Sequence, residues 1–230
     1  MIPLRDDNPT RSTPAVNYAL IALCVLVFLW EVTLPANQAE QAVYQLGFIP
    51  AVFFGRADLA QHWIAPELSI VTSMFMHGGW LHLGGNMLYL WIFGDNVEDR
   101  VGHARYILLY LACGLVAALA QGLADTSSTV PMLGASGAIS GVLGAYIVLY
   151  PRAKVLVAVP LLIVFYTLRV PAWLVLGMWF AVQLLSSLST RLSVSAQQGA
   201  GVAFGAHVGG FIAGLLLIRF LVRDRRTYRY

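Results

Sequence analysis

Four polar side chains lie in otherwise apolar segments of this sequence and could together carry out acyl transfer. They are Ser136, in the run Gly134-Ala135-Ser136-Gly137, His82 and Asn86 in a second segment, and His207 in a third. A hydroxyl, imidazole or amide in hydrocarbon costs several kcal/mol unless it is paired or lines a hydrated cavity. Their joint presence therefore predicts a reactive site within a membrane.

The residue types suit a nucleophile, a base and a set of hydrogen-bond donors. A serine hydroxyl is a weak nucleophile and needs a neighbouring base, a role that neutral imidazole fills near pH 7. His207 is the candidate base for Ser136. The oxyanion formed on acyl attack needs preorganised donors, for which Asn86, His82 and the amide of Ser136 are the candidates. His82 and Asn86 are spaced i, i+4, which places them on one helical face.

Each of these residues also has a structural interpretation. A serine among small residues in a membrane protein more often serves helix packing, and a single histidine can be a packing or proton-relay residue. His77 lies at the membrane boundary, where a structural hydrogen bond is expected, and His62 and His103 are expected to be solvated. The sequence contains no H-E-x-x-H motif or similar compact ligand set, so we expect no metal to be bound by the histidines.

The composition is that of an integral membrane protein. Of the 230 residues, 59% are hydrophobic and 11% are charged, and the mean hydropathy is +0.73, which lies outside the usual range of soluble domains. Such a length suits one bundle of roughly six helices of about 20 residues. Cys24 and Cys113 are expected to be packing residues, and the spacing of Gly137, Gly141 and Gly144 predicts close contact between helices.

The apolar runs predict an all-α fold with six transmembrane helices. The predicted spans are residues 15–34, 80–93 with an extension toward 97, 106–123, a glycine-rich helix from 134–137 to about 150, 171–188 and 202–222. The stretch 35–68 mixes polar and aromatic residues and is predicted to be interfacial. Residues 155–168 are short for a span and are interrupted by Pro160, so a re-entrant or interfacial piece is expected there.

The basic residues predict the orientation of this bundle, because Lys and Arg accumulate on the cytoplasmic side. With a cytoplasmic amino end, 12 of the 14 Lys and Arg residues are inside, and only Arg56 and Arg191 are outside. Residues 1–14 are then a mobile cytoplasmic arm, 15–222 the membrane-embedded domain and 223–230 a basic cytoplasmic tail. The second, fourth and sixth spans all enter from the outer face, so their polar residues can meet there. The positive charge is expected to attract anionic lipid headgroups, and no nucleic-acid partner is expected.

In their order along the chain, these motifs resemble those of the rhomboid family of intramembrane serine proteases. His77 and the run His82-Leu83-Gly84-Gly85-Asn86 are similar to its second-helix histidines and H-x-x-x-N motif, Gly134-Ala135-Ser136-Gly137 to its G-x-S-G, and Ala206-His207-Val208-Gly209-Gly210 to its last catalytic helix. The run Phe93-Gly94-Asp95-Asn96-Val97-Glu98, followed by Gly102, resembles the inner end of its second helix, with Glu98 structural. The G-x-S-G motif alone is weak, whereas the ordered set is specific and covers most of the chain.

The resemblance implies that Ser136 and His207 form a dyad without a third, acidic residue and without a cofactor. It implies cleavage of single-pass transmembrane proteins near the outer face, with substrates entering past a mobile fifth helix. The acidic residues expected near that face, none of them beside His207, are Glu31, Glu40, Asp58, Glu67 and Asp125. The chain differs from many members at residues 54–56, where they carry a Trp-Arg pair, and at Ser140, where some carry an aromatic residue that supports the histidine.

Two other functional classes predict residues that differ from those of a protease. A catalytically inactive rhomboid-like protein that binds transmembrane helices as a chaperone or adaptor would normally lack Ser136 or His207, and this sequence has both. A small transporter or channel would carry charged or paired acidic groups at mid-membrane, and the predicted spans show none there. A compact chain without a targeting arm suggests the bacterial inner membrane, while the substrate and the oligomeric state stay open.

Overall fold

The computed structural model describes residues 1–58, 63–161, 164–192 and 203–222. Within these ranges the fold is mostly helical. The helices are α1 (Ala15–Thr33), α2 (Ala36–Leu46), α3 (Pro50–Phe53), α4 (Pro66–Ser73), α5 (Trp80–Val101), α6 (His103–Ala124), α7 (Ser136–Leu149), α8 (Ala172–Leu192) and α9 (Phe204–Leu221). The strands are β1 (Ile2–Asp6), β2 (Lys154–Leu161) and β3 (Val164–Pro171). The predicted tail at 223–230 and His62 lie outside the described residues.

Each of the six predicted spans corresponds to a helix, but the count of six crossings is not confirmed. Among the described residues, four helices are long and apolar enough to cross a membrane, namely α1, α6, α8 and α9. Helix α5 has 22 residues but carries Asp95, Glu98, Asp99 and Arg100 toward its end. Helix α7 has 14 residues and is therefore roughly 21 Å long, less than a hydrocarbon core of about 30 Å.

The all-α prediction is wrong for one region, because the three strands form an antiparallel sheet in the order β1-β2-β3. Lys154 pairs with Pro171 and Leu161 with Val164, so β2 and β3 form an antiparallel pair. The physical reason is the period-two pattern of β2, in which Val155 and Val157 are fully buried and β-branched side chains favour a pleated strand. A run of valines is compatible both with a buried strand and with a segment in contact with lipid. The length of the apolar run alone could therefore not distinguish these two structures.

The prediction of a mobile arm at residues 1–14 is also corrected. Strand β1 pairs with β2, with Ile2 opposite Ala158, and the hydroxyl of Tyr146 donates a hydrogen bond to Asp6 Oδ2 over 2.5 Å. Further along, Arg169 lies 3.1 Å from Asp7 in an ion pair. These partners lie far away in the chain, so local sequence reasoning had no access to them.

The described part of the segment predicted to be interfacial contains the short helices α2 and α3 and the start of α4. It is attached to the rest of the protein through Phe48, which is fully buried and exchanges two backbone hydrogen bonds with Met132, of 2.8 and 2.9 Å. The backbone N–H of Gly134 donates to the carbonyl of Ser73 over 2.8 Å. The loop that leads into α7 is therefore hydrogen-bonded both to Phe48, before α3, and to Ser73, at the end of α4.

Close packing of α7 against α6 and α9 forms the centre of the protein. A Cβ atom added to Gly141 would lie 2.2 Å from the Cβ of Cys113 on α6, and one added to Gly214 of α9 would lie 1.8 Å from the carbonyl oxygen of Gly141. No larger residue fits at either position without displacing backbone, which confirms close helix contact at the glycine-rich helix. The close contact between the backbones of α7 and α9 thus holds the first turns of these two helices next to each other.

Candidate active site

Ser136 and His207 meet at the adjacent first turns of α7 and α9. The distance from Ser136 Oγ to His207 Nε2 is 2.7 Å, and the imidazole is 9% exposed. Ser136 is the first residue of α7, so its backbone N–H has no acceptor within that helix. The residue predicted as nucleophile and the residue predicted as base are therefore within hydrogen-bond distance.

The other ring nitrogen of His207 contacts a residue that sequence reasoning missed. Its Nδ1 lies 2.7 Å from Oε1 of Gln183, on α8. A neutral imidazole carries one N–H donor and one acceptor, so a proton on Nδ1 leaves Nε2 free to accept from the Ser136 hydroxyl. One signal was available, because Gln183 is a polar residue inside a predicted span, and such residues are functional candidates.

His82 and Asn86 lie on the other side of the serine loop, against Gly134. A Cβ atom at Gly134 would lie 2.7 Å from both Nε2 and Cε1 of His82 and 3.7 Å from Nδ2 of Asn86. Gly134 also has a φ of +121°, a conformation that other residues rarely adopt. The structure thus brings the predicted donors to the loop that carries Ser136.

The N–H donors of His82 and Asn86 lie beside this loop. The backbone N–H of Gly78 donates to His82 Nδ1 over 3.3 Å, which leaves the proton of a neutral His82 on Nε2, beside Gly134. Asn86 is 8% exposed, and its Nδ2 has no hydrogen-bond partner among the described residues. A buried amide donor without a partner is costly, so Nδ2 is available to an acceptor that enters from outside the protein.

His77 has structural contacts and a link to Glu31. Its Nδ1 lies 3.2 Å from the carbonyl of Phe75, and its ring meets that of His82 edge-on at a centroid distance of 5.2 Å. Its backbone N–H donates to the carboxylate of Glu31 on α1 over 3.2 Å. Among the described residues, no three His, Cys, Asp or Glu side chains come close enough together to hold a metal ion.

Comparisons with known proteins show what the chain as a whole is similar to. A family model described as a rhomboid domain matches residues 65–224. The chain is 31% identical over 204 residues to "Rhomboid protein 1, mitochondrial" of Saccharomyces cerevisiae, which covers 86% of this chain and 51% of the yeast protein. It is 34% identical over 133 residues to "Rhomboid protease GluP" of Bacillus subtilis, which covers 57% of this chain and 24% of that protein.

The chain spans about half or less of the length of these two relatives. The family match nevertheless covers more than half of this chain and includes Ser136 and His207. The apolar helices agree with it, since they are those of an integral membrane protein. The resemblance inferred from the ordered motifs is confirmed: this chain belongs to the rhomboid family.

Proposed function

We propose that this protein is a serine-type intramembrane endopeptidase in which Ser136 is the nucleophile and His207 the general base. The observation that carries the proposal is the 2.7 Å distance between Ser136 Oγ and His207 Nε2. The similarity to the Bacillus subtilis relative, whose name describes it as a rhomboid protease, supports the same activity. This chain retains both residues that an inactive relative would be expected to lose.

The proposed reaction follows from the donors and acceptors around the serine. His207 takes the hydroxyl proton at Nε2 as Ser136 Oγ bonds to the scissile carbonyl carbon, and it then passes that proton to the leaving amine. Asn86 Nδ2, His82 Nε2–H and the backbone N–H of Ser136 stabilise the oxyanion. A water molecule, activated by His207, hydrolyses the acyl-enzyme. The buried, unpaired state of Asn86 Nδ2 supports its role as one of these donors.

The proposed substrates are single-pass transmembrane proteins, cut near the outer face of the membrane. This proposal rests on the predicted orientation, in which both ends of the bundle are cytoplasmic and α5, α7 and α9 begin at the outer side.

The bacterial inner membrane is the proposed location of the protein. The similar proteins above include one named as mitochondrial as well as one from a bacterium. Membrane fractionation of the native host would test it.

The decisive experiment uses purified protein in liposomes together with a single-pass model substrate. Ser136→Ala and His207→Ala should each abolish cleavage while the protein stays folded. The first removes the oxygen that bonds to the scissile carbonyl carbon, and the second removes the base that takes its proton. Ser189→Ala is the matched control, because its hydroxyl contacts only backbone carbonyls of α8 in the described contacts. Unchanged turnover by Ser136→Ala would refute the proposal.

A further inference from the structure

Helix α8 carries neither the nucleophile nor the base, but one of its buried polar side chains contacts His207. Gln183 is 9% exposed, and its Oε1 lies 2.7 Å from His207 Nδ1. The Nε2 atom of the same imidazole lies 2.7 Å from Ser136 Oγ. The imidazole therefore bridges the amide oxygen and the serine hydroxyl.

This arrangement selects one tautomer of His207. The ring can accept the serine proton only when Nε2 carries no hydrogen, which requires the hydrogen to be on Nδ1. Burying an N–H without an acceptor costs the full desolvation free energy of that group. The oxygen of Gln183 supplies the acceptor. Without it, the ring is free to turn or to move its proton to Nε2, and Ser136 loses its base.

A second residue of α8 packs near the same ring. Trp179 lies one helical turn before Gln183, and its ring centroid is 5.9 Å from that of His207. Ser140, which occupies the position where some family members carry a supporting aromatic residue, instead donates to the carbonyl of Ser136 over 2.6 Å. Two side chains of α8 therefore lie next to the imidazole.

We propose that Gln183 is a positioning residue that keeps His207 in the tautomer able to accept the proton of Ser136. The inference rests on the proposed function. Gln183 accepts a hydrogen bond from Nδ1–H before the reaction and continues to accept it when the imidazole becomes positively charged. It forms no covalent bond and takes no proton, so its effect is on the base and not on substrate contact.

The test compares the same substitution at two glutamines. Gln183→Met removes the acceptor and roughly keeps the side-chain length, while Gln121→Met is the control. The Gln121 side chain also accepts a hydrogen bond from α9, but from the backbone N–H of Ala206, over 3.2 Å. We expect Gln183→Met to lower kcat by roughly 10- to 100-fold with little change in KM, and Gln121→Met to keep most of the wild-type kcat. Equal kcat values for the two variants would overturn the proposal.

A pH profile separates positioning of the base from a general structural effect. In Gln183→Glu a carboxylate replaces the neutral acceptor and stabilises the protonated imidazole, so the acid limb of the kcat/KM profile should move to higher pH. The titratable group that acts on His207 from α5 is His82, and it is present in every variant. An acid limb that coincides with that of the wild type would contradict the proposal.

The two proposals fail in different ways. If Ser136→Ala abolishes cleavage while the Gln183 variants behave like Gln121→Met, the protease assignment stands and the role of Gln183 is refuted. If Ser136→Ala leaves cleavage unchanged, the protease assignment itself is refuted, and the role of Gln183 is refuted with it.

Discussion

Two groups of polar residues, each with buried members, differ in how completely those buried members are hydrogen-bonded. The capping cluster consists of Asn17, Glu98, His103 and Tyr106, where α1, α5 and α6 meet. The serine cluster consists of Ser136, His207, Gln183, His82 and Asn86. The carboxylate of Glu98 accepts hydrogen bonds from the backbone N–H groups of Val16 and Asn17, of 3.0 and 2.7 Å, at the start of α1, where such groups lack helical partners. In the serine cluster, Asn86 Nδ2 has no partner among the described residues.

Asn17 shows how complete the bonding of the capping cluster is. Its Nδ2 donates to the carbonyl of Leu90 over 3.0 Å, and its Oδ1 accepts from the hydroxyl of Tyr106 over 2.8 Å. Glu98 Oε1 also lies 2.5 Å from Nδ1 of His103. Fully paired buried groups stabilise a fold, whereas an unpaired donor at a loop is available to bind a ligand. The comparison therefore indicates a structural role for the capping cluster and agrees with the proposed chemical role of the serine cluster.

The largest expected effect comes from the same substitution in each cluster. Asn86→Ala should lower kcat by about 10²–10³-fold, as is typical for the loss of one oxyanion donor, with little change in stability, because Nδ2 makes no hydrogen bond that would be lost. Asn17→Ala should lower the free energy of unfolding by about 1–3 kcal/mol and leave kcat of the folded protein nearly unchanged. Cleavage assays in liposomes and SDS-induced unfolding in mixed micelles measure the two quantities. A large loss of stability in Asn86→Ala would remove the distinction between the clusters.

A smaller effect is expected from two tyrosines one turn apart on α6. Tyr106 and Tyr110 are both fully buried, but only the Tyr110 hydroxyl has no hydrogen-bond partner among the described residues. Tyr106→Phe should therefore destabilise the protein by about 1 kcal/mol, while Tyr110→Phe should be neutral or stabilising. The same SDS titration measures both variants, and equal effects would show that pairing does not decide the role of a buried hydroxyl in this protein.

The smallest effect should be a pH dependence at Asp6, next to β2 and outside the spans. Burial raises the pKa of its carboxyl to about 6, although the hydrogen bond from Tyr146 opposes the shift. Because the folded protein then binds the proton more tightly than the unfolded chain, stability should fall as the pH rises from about 4 to about 6. Asp6→Asn should remove this contribution, so comparing the midpoint temperatures of both proteins at pH 5 and pH 8 tests it. An identical pH dependence in the two proteins would contradict it.

Sequence reasoning located four members of the serine cluster because each is a polar residue in an apolar run and belongs to an ordered motif. It missed Gln183, because one glutamine in an apolar helix does not reveal which neighbouring helix it faces. It also missed the paired strands β2 and β3, since alternating valines suit a strand and lipid equally. The contacts of β1 depend on residues far away in the chain, and no local pattern could have predicted them.

The pairing of β1 with β2 has a consequence for biosynthesis. Ile2 pairs with Ala158, so the strand formed by residues 2–6 has no partner until the ribosome has released the chain through β2. The segments that become α1 to α7 are all synthesised in the meantime. Closing such a long loop costs only slightly more entropy than closing a short one, but it cannot happen early. The pairing of β1 with β2 therefore forms only after the serine-bearing helix has been made.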